Sequence, residues 1–138
     1  MDQVETNALL RRSWALAVSD RPALSRLFYA KLFQIAPETE RLFVSDLTAQ
    51  GKKLAATLAF IIDNIDDMDT LLPVASDLAI RHVDFNVTPD HYGPVGAALI
   101  ETLRDLLGAE FDTQTEQAWA ATYGVLSQHM IDSAYGTA

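Results

Sequence analysis

The sequence contains no cysteine. That excludes thiolate ligands to a metal, a cysteine nucleophile, disulfide cross-links and attachment of a cofactor through paired cysteines. Positive charge is scarce as well: ten Lys and Arg stand against nineteen Asp and Glu, a formal net charge of -9. A nucleic-acid surface needs clustered Lys and Arg, and an anionic membrane would repel this chain, so neither is an expected partner. No run approaches the ~18 apolar residues of a spanning helix. The first residues, "MDQVETNALLRR", carry acids where a secretory signal would carry bases, which makes the cytoplasm the expected location. Alternating strand patterns, internal repeats, low-complexity tracts and flexible linkers are also missing.

What the sequence does have is helical periodicity. With 138 residues and 49% apolar content, the chain reads as one domain over residues 1–138, large enough to bury a core and still line a cavity. Leu10, Trp14 and Val18 form a first stripe, and Pro22 opens a second helix with Leu24, Leu27, Phe28, Leu32 and Ile35. Tyr29, Leu32, Phe33 and Ala36 give that helix a second apolar arc, so two of its sides are expected to be buried. A short piece from Pro37 ends at Phe43, and Gln50, Leu54, Leu58, Ile61 and Ile65 define a long helix after it. The acids Asp63, Asp66, Asp67 and Asp69 lack the glycine and terminal glutamate of a calcium loop and read as a solvated corner. Thr88 and Pro89 start a helix with Val95, Leu99, Leu103 and Leu106, which Gly108 ends. The last helix carries Trp119, Tyr123, Leu126 and Met130. The expected fold is all-α, with about seven helices.

One residue interrupts this pattern. In "SDLAIRHVDF", helical steps from His82 lead back to Leu78, Ala75 and Leu71 and forward to Phe85, so the histidine shares an apolar face and points inward. An unpaired polar group in a core costs roughly 1–3 kcal/mol, so its ring nitrogens need hydrogen bonds or a metal. A core histidine bonded to a carbonyl is one reading. An imidazole anchoring the metal of a flat apolar cofactor between helices is the other. The second reading needs a wall facing the open side of the metal. Gln50 and Leu54, one turn apart on one helix face, could supply it, and Tyr29 could bring a hydroxyl into the same space.

The segments "LFYAKLF", "PETERLF", "LLPVASDLAIRHV", "DHY" with "VG" after it, and "AWAATYGVL" resemble, in content and order, the bacterial globins of the flavohaemoglobin and single-domain haemoglobin kind. The resemblance implies a globin fold around noncovalent haem b, with His82 as the iron ligand and Phe43 wedged against the porphyrin. It also implies Tyr29 and Gln50 over the bound gas, Leu54 as the apolar wall beside them, and Tyr92 as the tyrosine bonded to the imidazole. Tyr92 or the carbonyl of Leu78 is expected to accept the hydrogen bond from the second ring nitrogen of His82. His91, at an exposed helix start, and His129, flanking the last stripe, are not expected ligands. The implied function is binding of dioxygen, with nitric oxide or carbon monoxide as further ligands; nitric oxide dioxygenation and gas sensing are the alternatives.

Three departures from the family pattern stand out. The flavohaemoglobins continue into a flavin and nicotinamide reductase, whereas this sequence stops at Ala138, so any flavin reductase is expected to be a separate partner. The family's glutamate in the last helix falls on Ala134, with Asp132 nearby. The corner between Phe43 and Gln50 is about three residues short, and Pro94 falls inside the helix after Tyr92, where it is expected to remove a donor and cause a bend.

Overall fold

The computed structural model describes residues 2–43, 46–84 and 86–136. Among these, six α-helices run in the order α1 (Gln3–Ala17), α2 (Arg21–Ile35), α3 (Leu47–Asp63), α4 (Met68–Asp84), α5 (Tyr92–Leu107) and α6 (Thr113–Tyr135). Single 3-10 turns lie at Val18–Asp20, Pro89–His91 and Gly108–Glu110, and a longer 3-10 segment at Pro37–Leu42. That segment stands where a seventh helix was expected. It begins on proline and has few apolar residues, so it winds tightly against α2 rather than building an α-helix.

The acidic composition has a local purpose. Asp2, Asp20, Asp46 and Asp112 cap α1, α2, α3 and α6, their carboxylates accepting from the backbone N–H of Glu5 (2.8 Å), Ala23 (3.1 Å), Thr48 (2.9 Å) and Thr115 (2.8 Å). Each satisfies an otherwise orphaned donor and places negative charge at the positive end of a helix. At the acidic corner Asp67 accepts from the N–H of Thr70, and Asp66 pairs with Arg11 of α1 at 3.1 Å.

The core forms where α2 crosses α5 and α1 meets α6, with Leu10, Leu24, Leu32, Leu71 and Leu103 fully buried. Trp119 of α6 donates its ring N–H to Ser13 Oγ of α1 at 2.7 Å, so a buried polar pair fixes the two helices in register. On the other side α4 packs along α6. His129 Nε2 bridges them, 2.8 Å from Ser76 Oγ and 3.1 Å from the carbonyl of Leu72.

Two sequence expectations change here. Pro94 falls in the first turn of α5, where backbone donors have no intrahelical partner, so it costs no hydrogen bond. The proline inside a helix is Pro73 of α4. The fully buried face of α4 is Leu71, Ala75 and Ala79, while Leu78 and His82 are half-buried at its edge. Phe85 lies outside the described residues.

Candidate functional site

A cavity of about 400 Å³ opens between the helices. α2 contributes Phe28, Tyr29 and Leu32, and α3 contributes Gln50, Leu54 and Leu58. His82 comes from α4 and Tyr92 from α5. The lining from α6 includes Trp119, Tyr123, Leu126 and Met130, and Phe43 closes one side. Most of these side chains are apolar. Six of the seven residues singled out from the sequence thus face one space: Tyr29, Phe43, Gln50, Leu54, His82 and Tyr92. Leu78 is the exception. It is half-buried on α4 and does not line the cavity.

The Tyr29 end is an aromatic cluster. Its ring lies 5.1 Å from Phe43 and 5.3 Å from Phe28, both edge-on, and 6.1 Å from Phe33. Burial pushes the Tyr29 hydroxyl up to about 12, so it remains a neutral donor at any physiological pH. Gly51 brings α3 up to this cluster: a Cβ there would stand 2.6 Å from Ser25 Oγ of α2 and 4.0 Å from the Tyr29 ring. The two helices therefore approach closely enough for Gln50, the residue before Gly51, to share the cavity with Tyr29.

His82 sits on another wall. Burial, reinforced by the charge of Arg81, lowers its pKa and keeps the ring neutral at pH 7, the form that can ligate a metal. Its Nδ1 is buried and, among the described residues, has no hydrogen-bond partner. Neither Tyr92 nor the Leu78 carbonyl takes that proton as expected. The rings of His82 and Tyr92 lie 6.4 Å apart, and the Tyr92 hydroxyl is itself buried without a partner among the described residues. The hydrogen bond in this region is a different one: Tyr123 of α6 donates its hydroxyl to the backbone carbonyl of Tyr92. Gly96 permits it, because a Cβ there would meet the Tyr123 ring at 2.9 Å. Asp132 does not reach the imidazole; it accepts from Gln128 at 2.8 Å.

The other two histidines are committed elsewhere. Thr88 donates its backbone N–H to His91 Nδ1 at 2.9 Å, so the neutral ring carries its proton on Nε2 and presents no lone pair there. His129 Nε2 faces the Leu72 carbonyl, which can only accept, so that nitrogen is a donor as well. His91 nevertheless lines the cavity, half-buried, as does the exposed Lys53. Sequence reasoning missed both, along with Tyr123 and the two glycines. Lys53 was within reach, one helical step from Gln50 on the same face. The contacts of Gly51 and Gly96 depend on which helices cross, which periodicity does not encode.

A neutral, inward imidazole on a mostly apolar, helix-walled cavity fits a flat apolar metallocofactor. Comparison with known proteins agrees with that geometry. A profile of the globin family matches residues 26–130. The chain belongs to the globin family. It is 34% identical over 130 residues to the flavohemoprotein of Bordetella parapertussis and 33% identical over 127 residues to that of Vibrio cholerae, which covers 92% and 90% of this chain. This globin chain spans about a third of the length of those relatives, 32% in each case. Among solved structures, a bacterial globin from Campylobacter jejuni superposes with a TM-score of 0.81 at 26% identity, covering 95% of both chains. A carbene transferase engineered from a candidate nitric oxide dioxygenase of Rhodothermus marinus superposes at 0.84, with 26% identity, 98% of this chain and 93% of the other.

Proposed function

We propose that this globin binds haem b in the cavity through His82 and, by means of it, dioxygen and nitric oxide. The observation that carries the reading is the meeting of a neutral His82 with Tyr29 and Gln50 in one mostly apolar space. Haem iron would supply reversible binding of diatomic gases, which no side chain alone can perform. The protein would supply the rest. His82 offers Nε2 to the metal, since its Nδ1 is sealed from the cavity. Phe43 and Leu54 give apolar surface for the porphyrin and the gas, and dry walls strengthen any hydrogen bond made inside. Tyr29 is the donor to a gas carrying partial negative charge, and Gln50 stands beside it. Lys53 and His91, the more exposed residues of the lining, supply a cation and an N–H toward the carboxylates of the cofactor.

A second reading has its own support. The flavohemoprotein relatives and the Rhodothermus neighbour favour nitric oxide dioxygenation, with a separate flavin reductase as partner and nitrate as product. It uses the same residues. The added requirement is a route for electrons.

The test of haem ligation is a single substitution. Purified chain is titrated with haem and followed by its absorption spectrum; wild type should take up one equivalent and give a five-coordinate ferrous spectrum. His82→Ala should lose most of that affinity, since the other two histidines are held by Thr88 and Leu72. A variant with the wild-type spectrum, in buffer without imidazole, would remove His82 from the site.

A further inference from the structure

We propose that Thr88 and His91 form a pH-operated latch at the more exposed edge of the cavity. It is closed while His91 is neutral and open once the ring is protonated, so a bound porphyrin leaves faster as the pH falls. The hydrogen-bonding part of the latch belongs to the fold alone, and the porphyrin part rests on the haem reading above.

The latch is a capping box with an unusual member. Thr88 caps the 3-10 turn that leads into α5: its hydroxyl accepts from the backbone N–H of His91, and His91 Nδ1 accepts from the backbone N–H of Thr88 at 2.9 Å. Such boxes ordinarily place Glu or Gln where His91 stands. The amide of a glutamine accepts at any pH. An imidazole accepts only through the lone pair of its neutral form and becomes a donor on both nitrogens when protonated, so acid sets two N–H groups against each other here. Imidazole is also the side-chain type whose charge changes between pH 5 and pH 8.

The box closes a corner that walls the cavity. His91 lines the space, half-buried, and Val87 lines it on the other side of Thr88. Two further bonds hold this corner, and neither involves His91: Val87 donates its N–H to the carbonyl of His82 at 3.1 Å, and the Val87 carbonyl accepts the hydroxyl of Tyr135. Both survive protonation of His91. Opening is therefore confined to the turn from Thr88 to His91, while α4 keeps its place.

The surroundings leave His91 as the group that switches. Tyr29 of α2, Lys53 of α3, His82 of α4, Tyr92 of α5 and Tyr123 of α6 are the titratable side chains that share the cavity wall with it among the described residues. Asp84 and Asp90 flank the corner in sequence, and Tyr135 reaches it from α6. Apart from His82, these are side-chain types that do not titrate between pH 5 and pH 8. Burial places the titration of His82 below that of an ordinary histidine. The Lys53 cation on the same wall disfavours a second positive charge inside, so the protonated His91 ring turns out to water.

The experiment follows the full chain from about pH 7.5 to about pH 5.5, across the imidazole range. Heteronuclear NMR reads the Thr88 amide proton, which in wild type should lose its hydrogen-bonded shift with the same midpoint as the His91 ring resonances. His91→Gln keeps an acceptor and loses the titration, so its Thr88 amide should stay bonded throughout. His91→Ala should show the open value at every pH. The second readout is release of haem to excess apomyoglobin. One hydrogen bond to a neutral acceptor shifts an equilibrium by roughly 2- to 10-fold, so the release rate of wild type divided by that of His91→Gln should rise by that factor as the pH falls. Acid acts on His82 in both proteins alike, and the ratio cancels it. The latch is overturned by a Thr88 amide that does not move in wild type, by one that moves equally in His91→Gln, or by a flat ratio of release rates. A chain that takes up no haem overturns the reading of the cavity, and the amide readout then decides the latch alone.

Discussion

Tyr29 shows how a single side chain can be both core and tool. Its ring is held by three phenylalanines, and its hydroxyl, pushed up to about 12 by burial, stays protonated, so its donor strength should not vary between pH 5 and pH 9. A hydrogen bond to a partly charged acceptor in a dry pocket contributes roughly 1.5–3 kcal/mol. Tyr29→Phe keeps the ring and removes only the donor, so dioxygen release should accelerate by about 10- to 150-fold. Carbon monoxide carries much less charge on its outer oxygen and should respond little. Stopped-flow release of both gases decides it; equal acceleration of the two would mean a wider pocket rather than a lost hydrogen bond. That Tyr29, Gln50, Leu54 and His82 could share one inward space was legible from helical steps to apolar neighbours, which is one-dimensional information, while the roles expected of them came from the family resemblance. The His82 Nδ1 that has no partner among the described residues, and the Tyr123 hydroxyl on Tyr92, were not, because both depend on how α4, α5 and α6 pack.

At the scale of elements, the helices were legible from apolar stripes and caps, and the errors fell where chain geometry overrides composition. Pro37–Leu42 is a 3-10 segment because a proline start and six residues give too little apolar surface for a helix to bury. Pro94 is harmless because α5 begins only two residues earlier. The glycines carry the sharpest consequence. Replacing a helical glycine by alanine gains up to about 1 kcal/mol of helix propensity where space is open. Gly124 of α6 has nothing within 4 Å of its notional Cβ, so Gly124→Ala should stabilise the chain by up to about that amount. A Cβ on Gly96 would stand 2.9 Å from the Tyr123 ring, and there the overpacking cost of roughly 1–3 kcal/mol exceeds the gain. Gly96→Ala should therefore destabilise and displace the Tyr123 hydroxyl from the Tyr92 carbonyl. Urea unfolding of both variants, followed by circular dichroism, measures the two signs; stabilisation by both would show that α5 and α6 do not approach closely.

For the whole molecule, the cavity is the dominant fact. A space of about 400 Å³ inside a chain of 138 residues leaves its walls without packing partners on one side, which weakens the fold until something fills it. A ligand that binds only the folded state adds stability by mass action, about 4 kcal/mol at a thousandfold excess over its dissociation constant. With about 2–8 °C of melting temperature per kcal/mol for domains of this size, haem should raise the midpoint by roughly 10 °C or more. Iron-free protoporphyrin separates the two sources of that gain, because it fills the same space and cannot bond to His82. It should give a smaller shift than haem in wild type, and the two porphyrins should converge in His82→Ala. Thermal melts of both proteins with both porphyrins at matched excess make the comparison. If protoporphyrin stabilises wild type as much as haem does, filling the cavity accounts for the whole effect, and His82 is a half-buried core histidine with its nitrogen unpaired.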